Sequence, residues 1–380
     1  MNQMVHLHLS TGETFSGQLI GAPLKAAGEL VFTTALVGYS ESLTDPSYFG
    51  QILVFSYPLI GNYGVPPVPD QGWSQLTNGF ESDRVHATAV IVADDSHQAF
   101  HWTSHQSLDS WLREQKVPGI VGLDTRHLIH LIRNNPGLSA KLEPVEPQGL
   151  RYPDHLERTD DQGFFNPGSH NVVSEVSVTE PVLMGKGNVR IAIPDCGIKW
   201  NILRQMIRQD CEIELLPWDT DPESVDCSGW LLSNGPGNPL QTGNLIPNIQ
   251  KLLEQHRPIL GICLGHQLLS IAAGFKSKKM PYGHRSHNQP VYLTGTRKGY
   301  MTSQNHGYVI DDSHIPEDWE IWFRNVNDET VEGIRHRTKP FRGVQFHPES
   351  AGGPRDTSWI IGQFISEVKR YAGKLQLSAN

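Results

Sequence analysis

From residue 189 onward, short apolar runs alternate with helical stretches, and this rhythm limits the fold more than any other feature of the chain. NVRIAIPDC reads as a buried strand and IKWNILRQMIRQD as a helix. EIELLPW and GWLLSNGPGNP are strands, the second running into a Gly/Pro loop. GNLIPNIQKLLEQH is helical, and RPILGICL is a strand that turns into the helix GHQLLSIAAG. Strands separated by helical crossovers pair in parallel, with helices covering the sheet. A run of strands follows (QPVYLTG, TSQNHGYVI, WEIWFRNV, VEGIRH, FRGVQFHPE), and a helix near 356–373 closes the chain. The expected fold class is α/β, with a doubly wound, mostly parallel sheet over 189–380.

Residues 1–150 read differently. Short strands broken by turns (LHLS, ETFSGQLI, GELVFTT, QILVFSYPLIGNYG, HATAVIVAD) precede helices at SLDSWLREQK and DTRHLIHLIRN, which predicts a mixed β/α domain. Pro and Gly cluster in EPVEPQGLRYP and DQGFFNPGSHN, so 151–188 is expected to be a linker with a short ordered piece at NVVSEVSVTEPV. Two domains suit a length of 380 residues. A net charge of −9, from 31 basic and 40 acidic residues, argues against a nucleic-acid partner. The N-terminal MNQMVHLHLSTGETFSG lacks the pattern of a signal peptide, and no apolar run is long enough to span a membrane. Four cysteines without C-x-x-C spacing are too few for a disulfide framework. A reducing, cytoplasmic setting is expected.

The most informative segment is PILGICLGHQLL, 258–269. Cys263 sits where an apolar strand becomes a helix, between Gly261 and Gly265, in the G-x-nucleophile-x-G layout of a nucleophile elbow. Small neighbours allow a sharp turn that pushes the side chain out at the carboxyl end of the sheet. A helix N-terminus favours a thiolate. The backbone N–H of Leu264 would point at a developing oxyanion. Cys196, Cys211 and Cys227 lack this context and read as core residues.

A thiol nucleophile needs a base, and GVQFHPES offers His347 at the end of an apolar strand, with Glu349 two residues on to orient the ring. His306, in SQNHGY, competes by proximity but lacks such a partner. Gly235 and Gly237 flank Pro236 in LSNGPGNP, so their N–H groups are lightly covered, and Gly235 could supply a second oxyanion donor. Asn305 and the Gly307–Tyr308 backbone could hold polar substrate groups. The His pairs 6/8, 101/105 and 284/287 have no thiolate or carboxylate at metal spacing, so packing or surface roles are expected and no metal is assigned.

Taken together, G-I-C-L-G-H-Q, S-N-G-P-G-N-P, Q-N-H-G-Y and Q-F-H-P-E-S resemble the class I, triad-type glutamine amidotransferases. GYSESLTDPSYFGQILVFSYPLIGNYG and GLDTRHLIHLIR are similar to the small, glutaminase subunit of carbamoyl-phosphate synthetase, and the resemblance runs over nearly the whole chain. It implies that Cys263 attacks the amide of L-glutamine to give a thioester and ammonia, with His347 as acid and base and Glu349 as its orienter. It implies that Gly235 and Leu264 form the oxyanion hole. It implies glutamine contacts from Ser47, Gly235, Gly237, Leu264, Gln267, Asn305, Gly307 and Tyr308, with Ser47 contributed by the first domain. The sequence has no Walker A loop. The implied partner is therefore a large synthetase subunit that uses ATP, Mg²⁺ and bicarbonate, receives the ammonia, and supplies carbamoyl phosphate to pyrimidine and arginine synthesis; this chain itself carries no cofactor.

Four places depart from the family pattern: Asn238 in place of the usual Asp, Trp200 in the D-x-G-x-K-x-N segment, the 283–291 loop GHRSHNQPV, and the 349–356 loop ESAGGPRD. They put in question loop conformations, subunit contacts and regulation, not the triad. The competing readings are a glutaminase subunit of another synthetase, a γ-glutamyl hydrolase or Cys peptidase, and a non-catalytic glutamine-binding subunit.

Overall fold

The computed structural model describes residues 3–67, 76–96, 98–152 and 158–378. The chain divides into two compact units, Met1–His170 and Asn171–Asn380. Of the expected linker, 153–157 lies outside the described residues. Phe165, before the division, is fully buried, and Val173, after it, belongs to the core of the second unit.

The first unit contains β1 (Met4–Leu9), β2 (Thr14–Gly21), β3 (Ala26–Thr33), α1 (Tyr39–Thr44), β4 (Gln51–Phe55), β5 (Leu59–Ile60), β6 (Ala89–Val92), β7 (Asp94–Asp95), α2 (Leu108–Glu114), β8 (Pro118–Val121), α3 (Thr125–Asn134) and β9 (Ser139–Pro144). Among these residues a closed barrel forms in the order β1-β2-β8-β6-β4-β3-β9, while β5 and β7 pair separately. Closure leaves the barrel no free sheet edge. Alternate residues of β4 enter different clusters: Ile52 and Val54 pack with Leu7, Ile91 and Leu128, whereas Leu53 and Phe55 pack with Val90, Leu108 and Trp111. Both faces of the strand are thus buried, which explains why QILVF reads as a continuous apolar run. Ser107 and Asp124 cap α2 and α3, each side chain accepting a hydrogen bond from a first-turn N–H.

The second unit contains β10 (Val182–Met184), β11 (Arg190–Asp195), α4 (Trp200–Ile207), β12 (Glu212–Pro217), β13 (Gly229–Leu232), α5 (Leu245–Glu254), β14 (Ile259–Ile262), α6 (Leu264–Ala272), β15 (Lys276–Leu293), β16 (Gly299–Asp311), β17 (Trp319–Asn325), β18 (Val331–His336), β19 (Phe341–Val344) and α7 (Trp359–Ser378). The described strands join in one sheet, ordered β10-β12-β11-β13-β14-β19-β18-β16-β15-β17. Pairing is parallel from β12 through β11, β13 and β14 to β19. From β19 to β17 it is antiparallel. Parallel pairing is therefore confined to one half of the sheet. The reason is connectivity: a parallel neighbour needs a long crossover, and no helix separates β15 from β19. Side chains alternate across β13. Trp230 and Leu232 pack in the core with α5 and α6, whereas Gly229 meets Val368 of α7, so helices cover both faces.

All four cysteines are buried free thiols. Among the described residues no helix is long and apolar enough to cross a membrane.

Packing is tight where α6 crosses the parallel strands. A Cβ on Gly265 would fall 2.0 Å from the Leu232 carbonyl oxygen, and one on Gly261 2.5 Å from the Gly265 carbonyl oxygen. Both obstacles are backbone and cannot rotate away. Gly265→Ala gains at most about 1 kcal/mol of helix propensity but incurs an overpacking cost of about 2–3 kcal/mol or more. A lower melting temperature in thermal denaturation is the expected result, and an unchanged one would mean that α6 is free to move off the sheet.

Candidate active site

The nucleophile candidate stands on strained backbone. β14 ends at Ile262, α6 begins at Leu264, and Cys263 between them adopts φ 53°, ψ −105°. A non-glycine residue at positive φ is uncommon and persists where its surroundings over-determine it. Here the Cys263 N–H donates to Val344 O at 2.9 Å, and its carbonyl accepts from the Gln267 N–H at 3.1 Å. The residue is 3% exposed. Its thiol donates to the Asn305 carbonyl at 3.7 Å, and Gln345 Nε2 donates to Sγ at 3.7 Å.

His347 arrives from the parallel neighbour of β14. β19 stops at Val344, three residues earlier than the sequence suggests, although Gln345 still donates its N–H to Glu332 O in register with β18. The chain is then caught again: the His347 N–H donates to Ser303 O at 2.9 Å. His347 Nδ1 donates to Glu349 Oε1 at 2.7 Å, which fixes the tautomer and leaves Nε2 for proton transfer. Burial opposes a charge on the ring. The Glu349 carboxylate and the Cys263 sulfur outweigh it against Lys199, and His347 is raised from 6.5 to about 10. Glu349 is equally buried, which alone would raise it, but Lys199 and His347 hold it well below the ordinary carboxylate range.

The remaining predicted residues of the second unit fall in and around this region. Gln267 is buried on the first turns of α6 and donates from Nε2 to Tyr308 O at 3.0 Å and to Gln345 Oε1 at 3.1 Å. Asn305 Nδ2 is buried without a hydrogen-bond partner among the described residues. The loop of Gly235 packs against the start of α6: a Cβ on Gly235 would lie 2.9 Å from Leu264 Cδ2 and 2.0 Å from Cys196 O. Gly237 uses a left-handed φ of 87°. Gly307 and Tyr308 continue β16 beyond Asn305. Ser47 belongs to the first unit. It lies in the short 3₁₀ turn Pro46–Tyr48, its N–H donating to the capping Asp45 Oδ1 at 2.9 Å. His306, the rival base, donates from Nδ1 to Tyr308 O at 3.0 Å and places Nε2 3.1 Å from Gln304 Oε1, so its hydrogen bonds lead away from the thiol.

Two family descriptions cover this chain: Glutamine amidotransferase class-I over residues 192–366, and Carbamoyl-phosphate synthase small chain, CPSase domain, over 7–142. The carbamoyl phosphate synthase arginine-specific small chain of Schizosaccharomyces pombe is 40% identical over 375 residues, covering 97% of this chain and 88% of that protein. The chain belongs to the carbamoyl-phosphate synthase small chain family. The arginine-specific small chain of Neurospora crassa is 40% identical over 371 residues, covering 96% of this chain and 80% of that one. The multifunctional protein CAD of Squalus acanthias is 42% identical over 367 residues; they are 95% of this chain but only 16% of CAD's length.

Sequence reasoning passed over one residue that this small-chain family member places against Glu349. Lys199 is 8% exposed, and its Nζ lies 3.0 Å from Glu349 Oε1. The start of α4 holds the same residue by its backbone, with Asn201 Nδ2 and Gln205 Nε2 (2.8 Å) donating to Glu349 O. The signal was present in D-x-G-x-K-x-N, where attention went to Trp200, a buried core side chain. The Asn238 departure has a simple account: its side chain accepts from the Leu240 N–H at 3.1 Å as the cap of a 3₁₀ turn, a bond that Asp makes equally well.

These charges have a pH signature. His347, raised from 6.5 to about 10, contributes stability that is complete below pH 6.5 and is lost as pH rises through 10. Glu349, lowered from 4.5, contributes stability present above pH 4.5 and lost as pH falls below it. Denaturant melts of wild type and Glu349→Gln across pH should therefore differ most between 4.5 and 6.5, the gap narrowing toward pH 10. A gap that widens with pH would show that the two side chains do not pair as ions.

Proposed function

We propose that this chain is the glutamine-hydrolysing small subunit of a carbamoyl-phosphate synthase. What carries the reading most is one arrangement: a cysteine held at positive φ between strand and helix, electrostatically coupled to a buried histidine whose far nitrogen is bonded 2.7 Å from a carboxylate. That is the order of nucleophile, base and orienter. Family membership supplies the substrate class.

In the proposed reaction the Cys263 proton passes to His347 Nε2, whose raised pKa favours it there, before Sγ attacks the side-chain amide carbon of L-glutamine as a thiolate. The carbonyl oxygen becomes an oxyanion facing the Gly235 and Leu264 N–H groups. Collapse of the tetrahedral species breaks the C–N bond, and His347 returns the proton to the leaving nitrogen, releasing ammonia and leaving a γ-glutamyl thioester. Water, deprotonated by His347, attacks the thioester; the proton goes back to sulfur and glutamate departs. Glu349 remains ionised throughout, keeping the ring in the tautomer that presents Nε2 and stabilising the imidazolium. Lys199 keeps Glu349 ionised. Ser47, Gln267, Asn305, Gly307 and Tyr308 hold the α-amino and α-carboxylate groups, and Gly235, Gly237 and Leu264 are further glutamine contacts. Ammonia passes to a large synthetase subunit, which uses ATP, Mg²⁺ and bicarbonate to make carbamoyl phosphate for arginine and pyrimidine synthesis. No cofactor is assigned to this chain.

Ammonia and glutamate release from L-glutamine, with and without a large subunit, tests the reading. Cys263→Ser should abolish release, a drop of at least about 10³-fold, as for loss of a catalytic nucleophile, while the complex still uses added ammonia. Release unchanged in Cys263→Ser would sink the proposal. Ser47→Ala should raise KM for glutamine more than it lowers kcat, the pattern of lost ground-state binding. An unaltered KM would remove Ser47 from the glutamine site.

A further inference from the structure

The antiparallel half of the sheet gathers a second polar cluster that the proposed reaction does not use. His284 on β15 and His306 on β16 are direct cross-strand partners. Gln304, two residues before His306, shares its face of β16. Glu332 comes from β18. His284 is 7% exposed, His306 5% and Glu332 0%.

The hydrogens of this cluster are assigned by its outer partners. His306 Nδ1 faces the Tyr308 carbonyl at 3.0 Å, which can only accept, so the ring proton is there and Nε2 carries a lone pair. His284 Nε2 faces Asp328 Oδ2 at 2.8 Å, so its proton is there and Nδ1 is bare. Gln304 Nε2 donates to Thr302 Oγ1, which turns Oε1 inward, 2.8 Å from His284 Nδ1 and 3.1 Å from His306 Nε2. Glu332 Oε1 lies 3.4 Å from the first nitrogen and 3.8 Å from the second. With both rings neutral, four lone-pair atoms converge: His284 Nδ1, His306 Nε2, Gln304 Oε1 and Glu332 Oε1. The nearest outer donors are the Thr330 hydroxyl, 3.4 Å from Glu332 Oε1, and Asn325 Nδ2, 3.5 Å from His284 Nδ1.

We propose that His284 Nδ1, His306 Nε2 and Glu332 Oε1, with Gln304 Oε1 as fourth donor, bind a divalent transition-metal ion of the zinc class. The three side chains hold donor atoms within 4.8 Å of one another. Tetrahedral zinc with bonds of about 2.0–2.1 Å separates its donors by roughly 3.4 Å. The His284–Glu332 distance already has that value and the His306–Glu332 distance exceeds it by a few tenths of an ångström, while Gln304 Oε1, at 2.8 and 3.1 Å from the two ring nitrogens, would have to draw back as the ion enters. Imidazole and carboxylate are zinc donors. The outer bonds to Asp328 and to the Tyr308 carbonyl are the partners that orient metal-binding histidines. The ion would tie β15, β16 and β18 together directly beside Asn305, whose carbonyl accepts from the Cys263 thiol. The alternative is that additional protons fill the same gap.

The experiment uses the full chain carrying Cys263→Ser, so that the candidate catalytic thiol cannot contribute. It is stripped with EDTA, dialysed against excess zinc sulfate, then against metal-free buffer, and its zinc is counted by mass spectrometry. About one zinc per chain should be retained, and about fivefold less or lower when His284→Asn or Glu332→Gln is added. Near-UV circular dichroism establishes that each variant is folded; Glu332→Gln, nearly isosteric, serves if His284→Asn is not. Cobalt in place of zinc should give the visible absorption of a tetrahedral site in the Cys263→Ser chain and lose it in the variants. No retained zinc in the Cys263→Ser chain would mean that protons fill the cluster, and the proposal fails. Equal zinc in a folded Glu332→Gln variant would place the ion elsewhere, with the same consequence.

Discussion

The second unit is organised by one backbone constraint: the turn from β14 into α6 must leave Cys263 at positive φ. Two hydrogen bonds lock that geometry, one to β19 and one into the helix. The turn is so tight that α6 approaches the strands most closely where Gly261 and Gly265 leave no room for a Cβ. Everything next to the thiol follows from this approach. β19 must be the parallel neighbour of β14 to offer Val344 O, and its continuation then delivers His347. The loop after β13 must lie over the start of α6, which brings Gly235 to Leu264. A larger residue at any of these glycines would not merely strain the turn. It would separate the parts of the site.

The second constraint is electrostatic. Lys199, Glu349 and His347 are all taken out of water, and desolvating each ion costs several kcal/mol. A buried row of charges is therefore weak evidence for stability in itself. It is strong evidence for position, because removing one member strands another: about 3–5 kcal/mol is the usual loss. Lys199 is held at the start of α4 and Glu349 just beyond β19, so the carboxylate that orients His347 is gripped from a different part of the sheet than the one carrying the histidine. The hydrogen bonds from Asn201 and Gln205 to the Glu349 backbone serve the same end. The ring is thus fixed by groups that the chemistry never consumes.

How much of this could be read from the residues divides along the sheet. The parallel half was legible. Its strands are buried on both faces and appear as uninterrupted apolar runs between amphipathic helices, and the elbow and the His-x-Glu pair sit at strand ends where such chemistry is expected. The antiparallel half was less so. β15 covers Lys276–Leu293, yet only QPVYLTG looked like strand, because KSKKMPYGHRSHN is polar, interrupted by Pro281, and mostly exposed at its start. Its pairing with β16 also contains two register shifts, so no simple alternation marks its inward residues. The barrel of the first unit was legible only as strands and helices. Its closure depends on the pairing of β1 with β9, more than a hundred residues apart, which no local pattern encodes.

The same limit explains why His284, His306 and Glu332 escaped notice as a set. Local spacing identifies metal ligands when one helix or loop supplies them. Here each comes from a different strand, and register makes them neighbours. A cross-strand pair is invisible until the register is known, and the bulge between Lys279 and His284 shifts that register just before the histidine that matters. Conversely, a register shift next to a buried histidine pair argues that the strand is shaped for that contact, since a regular ladder would satisfy the backbone at lower cost. Asn305, between Gln304 and His306, turns its side chain to the opposite face of β16, while its backbone carbonyl accepts from the Cys263 thiol. Any ion or proton that fixes Gln304 and His306 also fixes the backbone from which Asn305 meets Cys263, so the two sites share a single structural element even though they share no side chain.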